Sequence, residues 1–400
     1  MGRAFGRTGR RGAVAALLLS FVLCQAALAD VTTERGSSIL LFPKLLFTED
    51  DLASKPSYVS KLWTGSVDTI IQISNTSNNL VFAHCFYVNA APADPSRPPG
   101  PSNPPLWQEI DFPIILTKQQ PTHWQVGSGR QYVSSDPICT TTWSECTNAG
   151  LDPGLIPPVS DPFTGELKCI EVDSTGAPIN GNHLKGEATI VNVTAGQTYR
   201  DASKYNAIGI LGLNTDLHSN DGDTRLCLGG EATALCPLGA EYNGCPAAVV
   251  MNHFAEGSSD PVLDGLAVNN TRVATELTIV PCSQDFENQA PAAVTVQFRV
   301  TNEFEELYSA STTVTCWGNF TLSDINPIFT ARFLGTRFAQ SRMTSLDDIT
   351  VPDKLSGFVG VMEEFHFQDD PVRARGRAAL NLHGEGERAR GDTIVLPEGP

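Results

Sequence analysis

The sequence predicts an all-β chain made of two tandem, related antiparallel β-sandwich domains joined by a loop-rich, Cys- and Gly-rich segment. Three observations carry that expectation. Apolar and polar residues alternate in short runs that end in turn formers, as in Asp68-Thr69-Ile70-Ile71-Gln72-Ile73-Ser74-Asn75. The 400 residues include 34 Gly and 27 Pro beside 41% hydrophobic residues, too interrupted for a helical bundle and too apolar for a disordered chain. Several short segments of the first part recur, in order, in the last part.

Taken in order, residues 1–29 read as an export signal. Arg3, Arg7, Arg10 and Arg11 precede the apolar run from Ala13 to Leu23, and Ala27-Leu28-Ala29 offers a small-residue cleavage site before Asp30. A membrane anchor needs a longer apolar run, so no membrane span is expected after cleavage. The first sandwich unit is placed at 30–200. Its strands are expected at 38–47, at 68–75 and 80–88 as a hairpin across a polar turn, and at 187–193. Proline-rich stretches at 90–105 and 152–162 read as surface loops, because proline cannot donate to an interior ladder. Residues 201–273 form the connecting segment, and the second, more compact unit is placed at 274–400. There, strands are expected at 275–280, 293–301, 311–317 and 392–396. Short helical turns are expected near 48–62 and 344–355.

The recurrence pairs Ile70-Ile71-Gln72-Ile73-Ser74-Asn75, with Ala83-His84-Cys85-Phe86 after it, against Gln297-Phe298-Arg299-Val300-Thr301-Asn302, with Val314-Thr315-Cys316-Trp317 after it. Downstream, Phe163-Thr164-Gly165 matches Phe358-Val359-Gly360, and Lys185-Gly186-Glu187-Ala188 matches Arg375-Gly376-Arg377-Ala378. These strand-turn-strand segments resemble the Ig-like sandwich modules of secreted bacterial proteins, a likeness that implies architecture alone.

Nine cysteines follow the export signal, and no two are separated by two residues, which excludes zinc knuckles and thioredoxin-type redox motifs. Disulfides are expected instead, with Cys139, Cys146, Cys227, Cys236, Cys245, Cys282 and Cys316 as candidates. The odd number leaves at least one thiol over, most simply a buried inert one.

A formal charge of −17 opposes binding to nucleic acid or anionic lipid. The zinc-protease helix, the nucleophile elbow and the phosphate-binding loop are all absent as motifs. The acidic stretch at 216–223 offers Asp216, Asn220, Asp221 and Asp223 as oxygen ligands for Ca²⁺, although the EF-hand spacing fails. On a strand, Glu364, His366 and Gln368 share one face. His253, Asp260, His366 and Asp369 are the candidates for a loop-built catalytic site. Trp63, Trp107, Trp124 and Trp143 could stack on sugar rings, with core packing the simpler expectation for each. The basic stretch at Arg373, Arg375, Arg377, Arg388 and Arg390 could meet an acidic surface of the same chain or of a second copy.

The functional expectation is an exported, non-enzymatic protein of the periplasm, cell surface or extracellular space. It would act in binding, adhesion or assembly, with an unidentified protein or glycan as partner or with itself. The alternatives are a secreted hydrolase or carbohydrate-active protein and a calcium-stabilised adhesion module. Convergence of the four catalytic candidates in one concave pocket would favour the enzyme.

Overall fold

The computed structural model describes residues 31–397 apart from 33–34, 53–59, 95–96, 98–101, 104, 131–153, 193–200, 214–222, 262–269, 347–353 and 369–373. The fold is all-β, with 57% strand and 5% helix arranged in small sheets. In chain order the first strands are β1 (Val31–Thr32), β2 (Ile39–Phe47), β3 (Val67–Asn75), β4 (Val81–Asn89), β5 (Gln108–Leu116), β6 (Pro121–Gln125), β7 (Phe163–Val172), β8 (Leu184–Asn192), β9 (Ala202–Asn206), β10 (Ile208–Ile210) and β11 (Arg225–Leu228). Then come β12 (Ala248–Phe254), β13 (Thr271–Pro281), β14 (Gln284–Asp285), β15 (Ala293–Asn302), β16 (Leu307–Thr315), β17 (Gly318–Thr321), β18 (Phe338–Ser345), β19 (Phe358–Gln368), β20 (Ala374–Asn381), β21 (His383–Gly384) and β22 (Asp392–Val395). Two single-turn helices, α1 (Leu322–Ile325) and α2 (Ala331–Leu334), fill the space between β17 and β18.

These strands make five sheets. The orders are β1-β10-β2-β7-β4-β5 and β6-β3-β8-β9 in the first part, β21-β12-β18-β15-β16 and β17-β13-β19-β20 in the second, and a three-stranded β11-β22-β14. With the two-residue β14 set aside, strands β2 to β10 and strands β12 to β21 occupy the same places in the two pairs of sheets. The equivalent strands are not those that the sequence segments pair. The segments set β3 beside β15 and β4 beside β16, whereas the sheets set β3 beside β13 and β4 beside β15. Alternating strands of similar composition slide past one another by one strand without penalty in a sequence comparison.

Two further expectations are corrected. Residues 67–89 do not form a hairpin: β3 pairs with β6 and β8, while β4 pairs with β5 and β7. The polar turn between them arches from one sheet to the other, held by the Asn75 amide, which donates to the carbonyls of Asn79, Leu116 and Thr117. Nor is the strand order Ig-like. Lettering β2 to β8 as A to G gives sheets A-F-C-D and E-B-G, whereas the Ig arrangement groups A, B, E and D against C, F and G.

The apolar core explains the strand sequences. One buried cluster draws Phe42 and Leu40 of β2, Ile71 and Ile73 of β3, Cys85 and Tyr87 of β4, and Ala188 and Ile190 of β8 from both sheets of the first pair. A second joins Val249 and Met251 of β12, Leu277 and Ile279 of β13, and Val296 and Phe298 of β15. A third packs β11 and β22 through Leu226 and Ile394 onto Ile39 and Leu41 of β2. Strand β2 is therefore covered on both faces, which is why Ile39-Leu40-Leu41-Phe42 runs apolar instead of alternating.

Among the described residues three disulfides, Cys85–Cys169, Cys227–Cys236 and Cys245–Cys282, point to an oxidising, exported environment. Cys139 and Cys146, like the export signal, lie outside the described residues. Cys316 is a correction: it is a buried free thiol, with Glu166 and Lys168 as neighbours. No described helix is long and apolar enough to cross a membrane.

Candidate functional site

Of the catalytic candidates, Asp260 and His366 meet and His253 lies nearby. On β19, Glu364 and His366 share a face, as the period of two requires. His366 Nε2 is 2.7 Å from Glu364 Oε1 and its Nδ1 is 2.6 Å from Asp260 Oδ2. Hydrogen bonding to Glu364 outweighs partial burial and, with Asp260, raises the imidazole pKa to about 8. Phe254 stands edge-on to the ring. His253, one residue earlier on β12, has no exposed surface. Its Nε2 lies 2.8 Å from Ser341 Oγ and its Nδ1 lies 3.1 Å from the Phe254 carbonyl. Burial pushes its pKa down to about 4, so the ring is neutral and serves the core. Asp369 lies outside the described residues.

Other candidates are dispersed. Asp223 accepts from the amide of Arg225 and closes a turn, while Asp216, Asn220 and Asp221 lie outside the described residues. Among the described residues no group of three or more His, Cys, Asp or Glu side chains is arranged to hold a metal ion. Trp63 and Trp124 are 2% exposed and pack in the core, so neither is a platform for sugar. From the basic stretch, Arg377 lies over the Trp63 ring at 3.9 Å and 3.5 Å from Asp201, and Arg388 donates to the Gly244 carbonyl.

The polar groups that sequence reasoning missed lie where the first pair of sheets meets β13, β17 and β19. A register shift between Phe42 and Leu45 bulges β2 at Pro43, which has no N–H to lose from the ladder. Tyr205 receives the Lys44 amide and donates to the Lys44 carbonyl, and Trp317 Nε1 donates to the Pro43 carbonyl. The bulge thereby aims Lys44 across the interface. Its Nζ is 2.7 Å from Glu276 and 2.5 Å from Glu363, all three side chains being 0–1% exposed. Glu276 and Glu363 are direct partners across β13 and β19, a like-charge pair that only a cation between them makes tolerable. Burial alone would lower the Lys44 pKa, but the two carboxylates hold it above its ordinary value. Ser60 Oγ and the amides of Lys61 and Leu62 also donate to Glu276.

A second buried lysine lies near the free thiol. Lys168 Nζ sits 2.7 Å from each carboxylate oxygen of Glu166, two residues away on the same face of β7, and Gln284 donates to Glu166. Here burial wins, and Lys168 is held below its ordinary pKa.

The sheets also differ at their rims. Strands β5 and β16 hold equivalent outer places. β5 carries Glu109, Asp111 and Pro113, and His84 pairs with Asp111 at 2.8 Å. β16, Leu307-Tyr308-Ser309-Ala310-Ser311-Thr312-Thr313-Val314-Thr315, carries no charge and no proline. Among the described residues no strand or isolated bridge lies against its outer side. Phe304 beside it and Leu307 at its start are 69% and 58% exposed.

No protein-family model matches the chain, and no curated protein matches it. Among solved structures it is similar to the naturally occurring empty particle of cowpea mosaic virus, with 10% identity over 96% of this chain and 97% of that one, at a TM-score of 0.15. It is also similar to the CupB6 tip adhesin of Pseudomonas aeruginosa, with 8% identity over 87% of this chain and 99% of that one, at a TM-score of 0.11. Likenesses at this level carry no argument about fold or function.

Proposed function

We propose that this chain is an exported, non-enzymatic protein of two related β-sandwich units that acts by binding, adhesion or assembly at the cell envelope or outside the cell. The observation that carries the reading is β16, a nine-residue edge strand without charge or proline. Soluble proteins usually blunt such an edge, because its free backbone groups template pairing with another strand. The equivalent β5 is blunted by Pro113 and the Asp111 carboxylate, so the contrast is specific to one rim. Equal strand orders in the two parts support their relatedness, and the disulfides support export.

Sedimentation velocity on a concentration series, together with retention on envelope preparations, tests this reading. Ser311→Pro or Ser309→Lys in β16 should weaken association by about tenfold, whereas Gln108→Lys in β5 should leave it unchanged. Association that is indifferent to β16 would sink the assembly reading. A secreted hydrolase is the second reading, favoured by the contact of His366 with Asp260. Turnover of an ester, peptide or glycoside panel that disappears in His366→Ala would establish it in place of the first.

A further inference from the structure

We propose that Lys44 and Asn319 are joined in the mature protein by an intramolecular isopeptide bond, formed without any other protein and with Glu276 as the proton carrier. Four placements argue for it. Lys44 Nζ donates to Asn319 Oδ1 at 3.3 Å, a hydrogen bond that seats the amine beside the side-chain amide whose Cγ it would attack. Glu276 Oε2 touches both reactants, 2.7 Å from Lys44 Nζ and 3.3 Å from Asn319 Nδ2. Thr278, the partner of Asn319 across β13 and β17, donates its hydroxyl to Asn319 Oδ1 at 2.9 Å and so polarises the carbonyl under attack. Finally, Glu363 Oε1 is buried without a hydrogen-bond partner. Two carboxylates thus surround one ammonium in a dry interface, a surplus of acceptors for the protons that the reaction must move.

The chemistry balances with nothing added. Lys44 passes a proton to Glu276, and the free amine attacks Asn319 Cγ, which forms the new C–N bond. Glu276 then delivers that proton to Nδ2, the Cγ–Nδ2 bond breaks and ammonia leaves, while the second proton given up by the Lys44 nitrogen stays on the carboxyl pair of Glu276 and Glu363. No oxidation or reduction occurs. Glu276 and Glu363 favour the ammonium over the amine, so the reactive form is a minor species, but the bond has to form only once in the life of each molecule. The product replaces the buried ammonium by a neutral amide, with the retained proton shared by Glu276 and Glu363 in place of the cation, and ties β2 to β17 across 275 residues of sequence.

Intact-mass spectrometry of the purified, reduced full-length mature protein tests the proposal directly. The expected mass is that of the linear chain less one molecule of ammonia, and protease digestion should give a branched peptide joining the segments around Lys44 and Asn319. Asn319→Ala and Glu276→Gln should restore the linear mass, and the unbranched chain should run more slowly than wild type on a denaturing gel. A wild-type mass equal to the linear sequence, with separate peptides containing Lys44 and Asn319, would overturn it. So would the ammonia loss without a branched peptide, which marks a cyclic imide at Asn319.

Discussion

Lys44 and Lys168 are both fully buried and both paired with glutamate, yet their environments pull them in opposite directions. Lys168 meets one carboxylate, two residues away on its own strand, and burial lowers its pKa. Lys44 meets two, both more than two hundred residues distant, and is held above its ordinary value. A local pair can form as soon as β7 does, whereas the Lys44 cluster exists only after the two parts of the chain have docked. A buried cation thus measures how many acceptors the fold gathers around it, and from how far away.

The largest effect expected from breaking this contrast is that of Lys44→Met in an Asn319→Ala background, where Lys44 stays an ammonium; the substitution leaves Glu276 and Glu363 facing each other in a dry interface. It should cost about 3–5 kcal/mol in chemical denaturation. Lys168→Met strands only Glu166 and should cost less. Pairing it with Glu166→Leu should bring the loss to within about 1 kcal/mol of wild type, since replacing a whole buried pair is far cheaper than halving it. The proton linkage sharpens the comparison. Because Lys168 titrates below its ordinary value in the fold, it binds fewer protons in the native state just below 10.5, and its own contribution to stability rises with pH there. Lys168→Met should abolish the rise. The smallest effect belongs to the half-buried cluster of His366, Glu364 and Asp260. His366, raised from 6.5 to about 8, contributes stability that is fully present below pH 6.5 and lost as pH rises through 8. In His366→Gln the melting temperature should lose that decline, while the buried His253 keeps its opposite dependence, a loss of stability as pH falls from 6.5 towards 4.

Much of the secondary structure was legible, because alternation and apolar runs report directly which residues leave water. The strands at 38–47, 187–193, 275–280 and 293–301 all fall on β2, β8, β13 and β15. Pairing was not legible. The turn after Asn75 reads as a hairpin from its composition, whereas the ladders of β3 and β4 and the bond from the Asn75 side chain to the Leu116 carbonyl of β5 show that the chain changes layer. Glu364 and His366 could be placed on one face from the period of two, but Asp260 came to them through tertiary packing. The Lys44 cluster carried a faint signal: a lone lysine after a proline inside Ile39-Leu40-Leu41-Phe42-Pro43-Lys44-Leu45-Leu46-Phe47. A charge in such a run either disrupts the strand or has a distant counter-ion, and the sequence contains no hint of which glutamate supplies it.

The bulge of β2 has a consequence for anyone who wishes to cut this molecule in two. Strand β2 belongs by hydrogen bonding to the first set of sheets, but its lysine is the counter-ion of the second. A fragment beginning near β12 would keep β13 and β19 with their facing acids and lose the Lys44 nitrogen between them, so it should survive best at acid pH, where a carboxyl can hold a proton instead. Autonomy of the two parts is therefore unequal: the earlier one gives up a partner, and the later one inherits an electrostatic debt.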